Sequence, residues 1–67
     1  MIKVKLIGVE HSDGTYAIEA LEDAANRFLE KLPSNTKILD IKLALSNGNP
    51  PYHYWLTALA IIYETQD

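Results

Sequence analysis

A chain of 67 residues with no cysteine and two histidines excludes a disulfide-stapled scaffold and any thiolate metal centre. Six Lys plus Arg against nine Asp plus Glu give a net charge of -3, which argues against generic binding to nucleic acid or to an anionic membrane. At 48% hydrophobic residues the composition is that of one small globular domain, residues 1–67. A domain this short buries only about 60% of its unfolded surface. With disulfides and metal set aside, self-association is the expected source of added stability.

Met1 leads directly into Ile2, Val4 and Leu6 alternating with Lys3, Lys5 and Ile7, a period of two that predicts a strand. An apolar leader is missing from this start, and nowhere do about 18 apolar residues follow one another, so the expected location is the cytoplasm. Gly8 to Gly14 reads as a polar loop with a glycine at each end. From Thr15 to Leu32 the period changes. Ile18, Leu21, Ala25, Phe28 and Leu32 fall at steps of three and four, which predicts an amphipathic helix. Asp13 or Thr15 is placed to cap it, Glu19, Glu22 and Asp23 lie toward its positive end, and Lys31 lies at its negative end. Asp23 and Arg27 are spaced for an ion pair, and Pro33 ends the helix.

Leu39, Ile41, Leu43 and Leu45 alternate with Asp40, Lys42 and Ala44 as a second strand. Ser46 to Pro51 gathers turn residues, including Asn47-Gly48, a hairpin signal. Tyr52 to Thr65 is apolar on both faces. Its aromatic and β-branched content predicts a strand over the competing helix.

The expected architecture is α+β in the order β-α-β-β: a three-stranded mixed sheet with one helix on one face. The first two strands would be parallel through a right-handed crossover and the last two antiparallel. The helix is expected to cover Ile2, Val4 and Leu6, then Leu39, Ile41 and Leu43, then the small-residue register Leu56, Ala58, Ala60 and Ile62. The outer face would carry Lys3, Lys5, Ile7, Asp40, Lys42, Ala44, His53, Trp55, Thr57, Leu59, Ile61 and Tyr63. A flipped last strand would place Tyr52 and Tyr54 there in place of His53 and Trp55. Such an apolar face calls for a cover, and a second copy is the expected one. Lys3, Lys5, Lys42, His53, Trp55 and Tyr63 are the candidate ligand-binding residues. Flat rings beside amines suit a nucleotide-like anionic aromatic molecule. The plainer reading of the same residues is packing plus solubility.

Catalytic chemistry finds little support. Glu10-His11-Ser12-Asp13 are adjacent in sequence, whereas a triad needs partners brought together by the fold. A metal site at His11 has only His53 as a second imidazole. Neither G-x-G-x-x-G nor G-x-x-x-x-G-K-[ST] occurs. Arg27 is the sole arginine, so stacking of a base on Trp55 would lack a basic groove. A non-enzymatic protein without cofactor is expected.

Ile2-Lys3-Val4-Lys5, Leu21-Glu22-Asp23 with Phe28-Leu29, and Leu39-Asp40-Ile41-Lys42 resemble small sporulation-associated proteins of Bacillus-like bacteria and of phages infecting related hosts. The size and element order are also similar to dodecin, a flavin-binding assembly that stacks flavin on a tryptophan between subunits. Trp55 lies in the final strand, away from the position of that tryptophan, so the likeness extends to architecture alone. The lysine–aromatic face taken with the first resemblance implies a homo-oligomeric binding protein that sequesters a nucleotide-like ligand, for a phage-borne member a host nucleotide signal. The competing expectation is a structural or protein-partner module that binds or inhibits a host protein through its apolar sheet face.

Overall fold

The structure is a computed structural model that describes residues 1–47 and 54–66. Four elements follow in the order β1 (Ile2–His11), α1 (Gly14–Lys31), β2 (Lys37–Asn47) and β3 (Trp55–Glu64). The class is α+β with β-α-β-β order, and the sheet is open with strand order β1-β3-β2. The expected mixed sheet is corrected: both ladders are antiparallel, with Lys5 opposite Ile61 and Ile61 opposite Ile41. β1 and β2 do run in the same direction, but β3 lies between them. The turn cluster after Asn47 falls outside the described residues; on either side of it Asn47 stands opposite Trp55.

Gly8 does not end the first strand. It pairs opposite Ala58, and the strand continues through Val9 and Glu10 to His11. Only Ser12 and Asp13 then remain to turn the chain into the helix. Asp13 is the N-cap, its Oδ1 accepting from the N–H groups of Thr15 at 2.9 Å and Tyr16 at 3.2 Å. The helix begins at Gly14, one residue earlier than predicted, and no acidic residue lies in its first turn, Glu19 falling in the second. Lys31 occupies the last turn, Leu32 caps the end before Pro33, and Arg27 meets Asp23 at 2.8 Å.

On β1 and β3 the helix side carries the opposite register from the expected one, whereas Ile41 and Leu43 of β2 lie on the helix side as expected. Ile61 is fully buried, and the half-buried Phe28 meets the Tyr63 ring edge-on at 5.6 Å between centroids. Thr57 is also buried on this face, its hydroxyl donating to Val9 O at 3.1 Å. Close approach comes from the helix, which presents Ala17, Leu21 and Ala25, and not from Ala58 and Ala60 of the strand. The register Thr57, Leu59, Ile61 and Tyr63 carries more apolar area than Leu56, Ala58, Ala60 and Ile62, so the larger register lies inward. On β1 the inward register is Lys3, Lys5, Ile7 and Val9. Ile7 and Val9 supply the apolar part, and Lys5 carries its amine to 5.5 Å above the Phe28 ring. Ile2, Val4 and Leu6 therefore point away from the helix.

Candidate functional site

Among the described residues the buried hydrophobic core is Ala17, Leu21, Ala25 and Ile61 alone. Two sheet surfaces are left uncovered. The first is the open face, where Ile2, Val4 and Leu6 are 57–74% exposed beside Leu56 and Ile62. Gly8, Ala58 and Ala44 form a row of small residues across it, producing shallow hollows of about 350 and 340 Å³. The second is β2, which is exposed along its whole length. Its Ile41, Leu43 and Leu45 lie opposite Ile61, Leu59 and Thr57 on the helix side, yet remain 48–60% exposed. The helix passes over β1 and β3 and brings no Cα within 8 Å of β2 among the described residues.

The predicted ligand residues do not converge within one chain. Lys3 and Tyr63 are cross-strand partners at one end of the helix-side face, and Lys5 follows beside Ile61. Trp55 is on the same face at the other end of β3, about 26 Å away at strand spacing. Lys42 pairs opposite Ala60 and so lies on the open face, 3.3 Å from Asp40 Oδ2. His53 lies outside the described residues, as do Tyr52 and the rest of that segment.

Two recesses flank the helix. Lys3 and Tyr63 share one of about 590 Å³ with Leu32, Asn35, Thr36 and Gln66. Beside it, the Thr36 hydroxyl is buried and finds no hydrogen-bond partner among the described residues. The other, about 520 Å³, lies between the helix start and β2, with Trp55, Ile18 and Leu45 in its wall. Trp55 lies flat enough against Gly14 that a Cβ there would come within 2.9 Å of its ring. A periodicity reading could not find these recesses, because both arise where the helix stops short of β2 and of the chain end.

The Glu10-His11-Ser12-Asp13 run has a structural role. His11 Nδ1 accepts from Asp13 N–H at 2.9 Å, and its ring stacks on Tyr16 at 5.2 Å. The carboxylate of Asp13 is occupied by helix N–H groups, so the helix start is closed by its own chain. No group of three or more His, Cys, Asp or Glu able to hold a metal ion is found among the described residues. No described helix is long and apolar enough to cross a membrane.

No known protein family matches the chain, and no curated protein or solved structure is significantly similar to it.

Proposed function

We propose that this chain is a non-enzymatic binding module that works as a homo-oligomer, with the open face of its sheet docked on another copy. One observation carries this reading: among the described residues, a core of four hydrophobic side chains beneath a sheet whose Ile2, Val4 and Leu6 are 57–74% exposed. Solvated faces of antiparallel sheets are ordinarily polar, and contiguous apolar patches mark contact surfaces. The row Gly8, Ala58 and Ala44 lowers the middle of that face, which favours close sheet-on-sheet approach. Substituting Val4→Glu places a charge on the face without touching the buried side chains. The proposal expects it to lower the mass of the assembly in solution. An unchanged mass sends the reading to a different surface.

A second reading keeps the small ligand. Lys3 and Tyr63 already share a recess large enough for an aromatic anion, its ring against Tyr63 and its charge on Lys3. Lys42 or Trp55 would join such a site only from a neighbouring subunit. A protein that sequesters a nucleotide signal would then melt at higher temperature with linear, cyclic or dinucleotide ligands, because binding the folded state alone stabilises it. No shift with any of them leaves protein docking as the function.

A further inference from the structure

We propose that the outer edge of β2 pairs antiparallel with the same edge of a second copy, across a two-fold axis at Leu43. This interface is separate from the open face and uses a different part of the sheet. Among the described residues β2 is held in one chain by β3 alone, and its other edge is open to a further strand except at Ile41, whose N–H is taken by the Asp40 side chain. A bulge between Ile38 and Asp40 interrupts the strand, so the regular edge is Asp40–Asn47. Within it, Lys42 sits 3.3 Å from the Asp40 carboxylate, and on pairing Ile41 N–H exchanges its 2.8 Å bond to Asp40 Oδ1 for the Leu45 carbonyl of the second copy. The edge therefore meets its partner with its two charges already matched.

The choice of a second copy rests on self-complementarity. Antiparallel pairing places residues of the same face opposite one another, so the axis must fall on a residue. An axis at Lys42 sets Lys42 against itself, which is unfavourable. An axis at Ile41 runs the pairing into the bulge at Leu39. Axes at Leu43 and Ala44 both keep the contact within the regular segment, but an axis at Ala44 sets Ile41 against the polar Asn47, whereas one at Leu43 gives Ile41, Leu43 and Leu45 apolar partners. Ile41 then faces Leu45 of the second copy and Leu43 faces its own counterpart, all on the helix side. On the open face Lys42 meets Ala44, and the Asp40 carboxylate accepts from the Ser46 hydroxyl. No like charges stand directly opposite. The product is a six-stranded sheet in the order β1-β3-β2-β2-β3-β1, with a helix over each end and an apolar trough between them.

Because the chain has no cysteine, single-cysteine variants read this register directly. Leu43→Cys lies on the axis, where cross-strand Cα atoms are about 5.5 Å apart and within disulfide reach. Two copies of Ile41→Cys stand four residues apart along the pair, about 13 Å, which is beyond it. Mild oxidation is expected to give at least about tenfold more covalent dimer from Leu43→Cys than from Ile41→Cys. Equal yields, a reversed order or no dimer from either overturns the proposal. Leu43→Lys, at a position 60% exposed in the single chain, is a second test by solution mass. It is expected to split the assembly, and an unchanged mass overturns the edge pairing. Splitting by Val4→Glu with no effect of Leu43→Lys overturns this interface and leaves the open-face reading standing. The opposite pattern overturns the open-face reading instead.

Discussion

β1 and β2 are matched in most respects and differ in one. Both are edge strands, of 10 and 11 residues, and both pair antiparallel with β3. β2 has the cleaner alternation, with Ile41, Leu43 and Leu45 on one face and Asp40, Lys42, Ala44 and Ser46 on the other. Yet the helix covers β1, whose inward register includes two lysines, and leaves β2 bare. The cause is the connection. Only Ser12 and Asp13 separate β1 from the helix, so the helix returns over the strand it has just left. Cover in a domain this small follows chain geometry, and the most apolar strand is left for another molecule.

The sharpest way to break this comparison is a pair of matched truncations. Ile61→Ala empties a fully buried site under the helix and is expected to cost about 3 kcal/mol, read by chemical denaturation. Leu43→Ala, two cross-strand rows away on the uncovered strand, is expected to cost the isolated chain about 0.5 kcal/mol or less. Similar costs for both at high dilution would show that β2 is covered within one chain. Gly14→Ala tests the joint between β1 and the helix. The added methyl presses on the Trp55 ring, so a loss of about 1 kcal/mol and a shifted tryptophan emission are expected. Asp13→Ala removes the acceptor for two helix N–H groups and is expected to cost about 1 kcal/mol in thermal unfolding. The smallest effect belongs to Asp23→Ala. Its partner Arg27 is an exposed neighbour one turn away, and about 0.3 kcal/mol is expected.

The element order, the helix and its Pro33 stop, and the Asp23–Arg27 pair were legible because each depends on local spacing. The register of β3 was not. Tyr52 to Thr65 is apolar on both faces, and small residues occur on both partners, Ala58 and Ala60 on the strand and Ala17 and Ala25 on the helix, so close approach alone does not choose the register. The strand after Gly8 was missed for a related reason. A glycine can remain within a ladder when its neighbour across the pair is Ala58. The candidate site inherited the register error. Lys3, Lys5 and Tyr63 share a face as expected, but that face lies under or beside the helix, and Lys42 points the other way.

Native mass spectrometry of the purified wild-type chain, followed through serial dilution, bears most directly on all of this. The expected result is an integer multiple of the chain mass that gives way to single copies only on dilution. A folded single copy persisting at the lowest concentration, with no second mass present at any dilution, would contradict it.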